Sequence, residues 1–359
     1  MTGTTANYAC SILKYFGQAH PNESLSALDS LLKTKRNNII NILLDGMGSH
    51  NMKDHLSYCG FFEHNKRADY SSVFPPTTVA ATASMECGLY PSQHGRLGWT
   101  MYYPKLNQNV LVYSNLLKDK SPAAPFHAAE TYTPYKKIVD ILNQNGIEAH
   151  ALSPYGVPKY DSFSDMLDRI LELTKESSPK YIYAYWPEPD SIMHKKGVLC
   201  DEVKNNMLYL ENALLEFSKK ISNSWLLITA DHGHIDAEGI LLTDYPDILN
   251  CLERLPSIEQ RALNLFAKEG KKEELKRAFT EHFGDNHRLY TRQEALDTEL
   301  FGIKPYHEDL ATFLGDYIAV AKTPITIFNN ENQMSALKGV HAGATLKEKI
   351  VPLIAVDCP

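Results

Sequence analysis

Two apolar runs that each stop on an acidic residue set the folding problem for this chain. Ile39–Leu44 is nearly continuous in apolar character and ends at Asp45-Gly46, and Trp225–Ala230 ends in the same way at Asp231-His232. Runs of this kind suit strands buried on both faces, as in a parallel sheet, rather than half-exposed strands. Helical patterns fall between the strands. Tyr135–Asn145 reads as a helix closed by Gly146 and leads to a short strand, Glu148–Leu152. Ser162–Lys175 reads as a second helix before the strand Lys180–Tyr185. In a third, Glu202–Ile221, the residues Val203, Met207, Leu210, Leu214 and Phe217 alternate steps of four and three, one buried stripe that feeds Trp225–Ala230. This alternation predicts an α/β fold, a doubly wound, mostly parallel sheet with helices on both faces. Ligands of such sheets bind beyond the carboxyl ends of the strands, and Asp45, Asp190 and Asp231-His232 all follow strand ends.

The texture changes after about residue 245. Residues 246–312 are charged and helical in pattern, with breaks at Gly284-Asp285-Asn286 and Gly302, and read as an inserted cap. Residues 1–245 and 313–359 then form the catalytic core, with late β segments at Tyr317–Val320 and Ile325–Phe328. A formal charge of −7 and a basic stretch, Lys268–Arg277, that is interleaved with Glu argue against a nucleic-acid partner. No apolar run approaches a membrane span, and the N-terminus lacks the pattern of a signal peptide. Six cysteines without C-x-x-C spacing fit reduced thiols, so the expected setting is cytoplasmic.

Four places carry chemistry. Asp45 precedes Gly46-Met47-Gly48, a turn that lets a carboxylate reach a metal, although Asp there also suits a helix N-cap. Asp190 and His194 are four apart, so on a helix they sit one turn above each other, either gripping one cation or forming a surface ion pair. In Asp231-His232-Gly233-His234 an acid and an imidazole directly follow a buried strand, a costly placement unless they are ligands or fully paired. His234 suits a substrate contact, support of a ligand, or a structural role. His341 lies in a loop between Gly339 and Gly343. Finally, Phe74-Pro75-Pro76-Thr77-Thr78 leads rigidly into the helical pattern Val79–Met85, placing a hydroxyl where the helix end favours an alkoxide and a phosphate. Thr77 and Thr78 both fit.

Taken in order, Asp45, Thr78, Asp190, His194, Asp231, His232 and His341 resemble the alkaline phosphatase superfamily, above all its nucleotide pyrophosphatase/phosphodiesterase branch. The likeness spans about residues 38–245 and 317–357. Members carry Thr or Ser ten residues before a G-x-x-P-x-x-H-G segment, here Gly88–Gly95, which selects Thr78 as the nucleophile. The resemblance implies two divalent ions, zinc before manganese. Asp190, His194 and His341 would hold one, and Asp45, Asp231 and His232 the other, with Thr78 reaching it. It further implies a small phosphate-ester substrate and a phospho-threonine intermediate. Two positions depart from the pattern. Trp99 stands where these enzymes have an Asn that donates to phosphate, and Val79 where they have an aromatic residue that stacks on a base. Trp99 and Tyr102, with Tyr103 beside them, are candidate walls of a different leaving-group pocket, or core aromatics. Beside a phosphodiesterase stand the alternatives of a phosphomonoesterase and a phosphonate or sulfate-ester hydrolase. More distant are an isomerase like the phosphoglycerate mutases and a metal-binding protein without activity.

Overall fold

The computed structural model describes residues 3–359. Its main sheet has six strands in the order Lys66–Ser71, Ile350–Cys358, Ser224–Thr229, Asn38–Leu44, Lys180–Trp186, Glu148–Leu152. Asn38–Leu44 runs parallel to both neighbours, and Glu148–Leu152 parallel to Lys180–Trp186. Ile350–Cys358 alone runs against the strands beside it. Every residue of Asn38–Leu44 is buried, as expected of a central parallel strand. Its one interior polar side chain, Asn41, is satisfied: Tyr8 Oη donates to Asn41 Oδ1 at 2.9 Å, and Asn41 Nδ2 donates to Tyr181 Oη at 3.3 Å.

The expected helices are present with shifted ends. Asp201–Ser218 buries Val203, Met207, Leu210, Leu214 and Phe217. Phe163–Thr174 is capped by Ser162, whose hydroxyl accepts from Asp165 N. The helix predicted from Tyr135 begins only at Ile138. Tertiary contacts take Tyr135 away from it: its hydroxyl bonds Glu86 and its ring lies under the Arg96 guanidinium.

The charged stretch after residue 245 is less helical than its pattern predicts. Lys272–Phe283 is a helix with Leu275, Phe279 and Phe283 turned inward, but Ser257–Glu259, Ala262–Leu265 and His287–Thr291 are strands. They are only three to five residues long, too short to show a period. With Thr100–Tyr103, Gln108–Leu111 and Tyr317–Ala321 they make a second six-stranded sheet, antiparallel throughout. Residues 246–312 therefore share their sheet with strands from 100–111 and 317–321. Among the described residues no helix is long and apolar enough to cross a membrane.

Candidate metal centre

The site gathers where strands of the main sheet end. Asn38–Leu44 delivers Asp45 into a turn whose next residue, Gly46, has φ +73°, a backbone that other residues adopt only under strain. The loop after Ser224–Thr229 delivers Asp231 and His232. The two loops touch through glycines, since a Cβ on Gly48 would lie 2.5 Å from the Gly233 Cα. Asp190 opens the helix Asp190–Lys196, so His194 stands one turn above it. Thr78 is the first residue of the helix Thr78–Cys87, with Thr77 as its extended N-cap. His341 follows the short strand Gly339–Val340.

Distances show how these side chains converge. His194 Nε2 is 3.4 Å from Asp190 Oδ1, and His341 Nε2 is 4.0 Å from the same atom. His232 Nε2 is 3.3 Å from Asp45 Oδ1, 3.5 Å from Asp231 Oδ2 and 3.2 Å from Thr78 Oγ1. Thr78 Oγ1 donates to Asp45 Oδ2 at 3.5 Å. The rings of His232 and His341 stack with centroids 3.8 Å apart. Two sets of ligand atoms lie within 4.8 Å of one another: Asp190, His194, His234 and His341, and Asp45, Asp190 and His232. Asp190 belongs to both. Asp231 lies outside the second set but beside it, its Oδ2 3.5 Å from His232 Nε2 and its charge acting on Asp45.

Burial makes this arrangement costly without cations. Asp45 Oδ1 and Asp231 Oδ2 are buried without a hydrogen-bond partner. Burial, then the charges of Asp231 and Asp190, push the Asp45 carboxyl well above its ordinary range. Burial likewise raises Asp231 to about 7, against the pull of the Gly46 amide. Asp190 behaves differently: burial resists its ionisation, yet His194, His234 and His341 together hold it well below the usual carboxylate range. Burial pushes His232 down to about 3 and His341 well below its ordinary value. Three acids facing imidazoles, two of their oxygens unpartnered, form a donor set suited to divalent cations of the zinc kind. The residues fit that group.

Other residues reached from the sequence are placed as follows. Trp99 is 46% exposed and meets Tyr113 edge to face, while the Tyr113 hydroxyl bonds Thr82, one turn beyond Thr78. Tyr102 contacts Asn107, Phe266 and Arg254, none of them in the cluster. His234, read as a substrate contact among other roles, is fully buried, with Nε2 2.5 Å from Asp190 Oδ1.

Sequence reasoning missed three neighbours. Tyr185 donates to Asp45 Oδ2, and the exposed Tyr155 packs against its ring. Glu259, from the second sheet, accepts from Thr77 Oγ1 at 2.6 Å and Trp99 N at 2.8 Å. The residue before it, Ile258, has φ +72°, a rare backbone for a β-branched side chain. Tyr185 was within reach, since it lies near the end of a strand that leads to Asp190. Nothing local marks Glu259.

Comparison with known proteins agrees with this geometry. A family model described as type I phosphodiesterase / nucleotide pyrophosphatase matches residues 39–342. Ectonucleotide pyrophosphatase/phosphodiesterase family member 1 of Homo sapiens is 28% identical over 159 residues, 41% of this chain and 16% of that protein. Venom phosphodiesterase CdcPDE of Crotalus durissus collilineatus is 23% identical over 192 residues, 50% of this chain and 23% of that protein. The match thus spans about a fifth of the length of these curated relatives. Among solved structures, human ectonucleotide pyrophosphatase/phosphodiesterase 5 superposes with a TM-score of 0.66 at 18% identity, covering 89% of this chain and 87% of that one. The murine protein gives 0.63 at 19% identity, covering 90% and 88%. At such identities the likeness is one of fold, the α/β architecture expected from the strand–helix alternation. The family model spans both the strand-end acids and His341, and the chain belongs to the type I phosphodiesterase / nucleotide pyrophosphatase family.

Proposed function

We propose that this protein is a two-metal phosphohydrolase that cleaves phosphodiesters through a phospho-threonine intermediate on Thr78. One observation carries the reading: a hydroxyl at the first position of a ten-residue helix lies 3.2 Å from His232 Nε2 and 3.5 Å from Asp45 Oδ2, at the edge of a buried acid–imidazole cluster. Asp190, His194 and His341 would hold one divalent ion, and Asp45, Asp231, His232 and Thr78 the other, with Asp190 within reach of both. Bound there, such ions supply positive charge that acidifies a hydroxyl and offsets charge on the phosphate.

The chain's own residues do the rest. Thr78 Oγ1 attacks phosphorus, the bond to the departing alcohol breaks, and water then cleaves the phospho-threonine to return the hydroxyl and free a phosphomonoester. The first amides of the helix lack intrahelical acceptors and face the incoming anion. Tyr185 donates to the same Asp45 oxygen, Oδ2, that Thr78 Oγ1 approaches, and so fixes that carboxylate. Trp99 and Tyr113 form an aromatic pair reaching Thr82, one turn along the helix from Thr78.

The names of the relatives support a diester, and an inactive variant of murine ectonucleotide pyrophosphatase/phosphodiesterase 5 has been solved in complex with AMP. Zinc is the ion we assign first, manganese second. The test is a hydrolysis screen with bis-p-nitrophenyl phosphate, p-nitrophenyl phosphate, a dinucleotide and p-nitrophenyl sulfate. Faster turnover of the diesters is expected. A monoester or sulfate preference overturns the diester assignment, and no turnover at full metal occupancy overturns catalysis altogether.

A further inference from the structure

Four imidazoles meet in the cluster, and three share a hydrogen-bonding habit that the fourth lacks. His194 Nδ1 lies 2.8 Å from the Gly339 carbonyl oxygen, His341 Nδ1 3.1 Å from that of Pro76, and His232 Nδ1 3.3 Å from that of Gly233. A carbonyl only accepts, so each of these rings keeps its proton on Nδ1 and offers a bare Nε2 to a cation.

His234 is the reverse. Its Nδ1 is buried with no partner, and its Nε2 lies 2.5 Å from Asp190 Oδ1. A neutral ring whose one acceptor faces Nε2 carries its proton there. Asn51 pins the His234 backbone from both sides, His234 N donating to Asn51 Oδ1 at 2.8 Å and Asn51 Nδ2 to His234 O at 3.1 Å. His234 sits close enough to the other ligand atoms to be taken for a ligand, but its tautomer points the wrong way.

We infer that His234 is a positioning residue for Asp190: its Nε2–H donates to Oδ1 and fixes the carboxylate, while three other imidazoles ligate. Asp190 belongs to both sets of ligand atoms, so fixing it sets the spacing between two cations. The inference rests on the metal-holding reading above.

Protein labelled with ¹⁵N-histidine and loaded with ¹¹³Cd separates the possibilities. Cadmium–nitrogen coupling is expected at Nε2 of His194, His232 and His341, with a protonated and uncoupled Nε2 at His234. Coupling at His234 overturns this inference alone, whereas failure to take up cadmium removes the metal-holding reading with it. Substitution gives a second measure. His234→Gln, which returns an N–H near the Nε2 position, should hold cadmium affinity within about threefold, and His234→Leu should lose about 10- to 100-fold. Equal losses in the two variants, or none in either, overturn the assignment. If His234→Leu melts early, the spectrum of the unaltered protein decides alone.

Discussion

Thr77 and Thr78 are adjacent hydroxyls with different work. Thr78 faces the cluster, so Thr78→Ala is expected to lose at least about 10³-fold in turnover, and Thr78→Ser to keep measurable activity. Thr77 turns away, and its hydroxyl makes no cap bond to the helix it precedes. It donates instead to buried Glu259. Thr77→Ala should therefore cost about 1–3 kcal/mol of stability, from a carboxylate short of one donor, with a milder effect on rate. Steady-state kinetics beside thermal melts of the three variants check the contrast, and a dead Thr77→Ala beside a working Thr78→Ala would move the nucleophile. Glu259 also makes stability depend on pH. Burial pushes its carboxyl from 4.5 up to about 7, against donation from Thr77 and the Trp99 amide. Below pH 4.5 it is protonated in folded and unfolded chains alike. Between 4.5 and 7 only the unfolded chain releases the proton, so folded stability falls, and above 7 the loss is complete. Glu259→Gln keeps the shape without the titration. Its stability relative to the unaltered protein should grow across that window by up to about 3 kcal/mol and then level off, read from metal-free melts at a series of pH values. A constant difference would exclude the mechanism.

The strand-end loops were the legible part of the site, for a physical reason. Strands buried on both faces must be continuously apolar, so an acid that ends one stands out, as Asp45 does after Leu44 and Asp231 after Ala230. His194 was legible because a helix repeats its face after four residues. Glu259 and Tyr113 were not, because each reaches the site through pairing in the second sheet or a bond to another element, which no local pattern encodes. The short strands between residues 257 and 291 were hidden by their length, and the charged helix beside them dominated the reading. The loops differ in how many sets of ligand atoms each one serves. His341 belongs to one set of ligand atoms and Asp190 to both. Elemental analysis should therefore find about two ions per chain in the unaltered protein, about one in His341→Ala and fewer in Asp190→Ala. Equal loss in the two variants would reject this division.

Across the whole molecule, the second sheet and the His341 loop are tied by a buried ion pair. Arg261 Nε and Nη2 donate to the Glu348 carboxylate at 2.7 and 2.9 Å, with neither side chain exposed, and Glu348 also accepts from Gly343 N. Arg261→Met leaves that carboxylate buried without its cation and should cost about 3–5 kcal/mol, together with weaker metal uptake through the loosened loop. Calorimetric melts with and without added zinc test both halves, and an unchanged Tm contradicts the first. The main sheet carries a consequence for synthesis. Ile350–Cys358 lies between Lys66–Ser71 and Ser224–Thr229, so one interior place is filled from the far end of the sequence. A ribosome finishes Ser224–Thr229 more than a hundred residues earlier, which at ordinary elongation speed is on the order of ten seconds. Throughout that interval the nascent chain presents a bare, apolar strand edge open to any passing strand, so this protein is most exposed to aggregation in the interval before Ile350–Cys358 emerges to cover it.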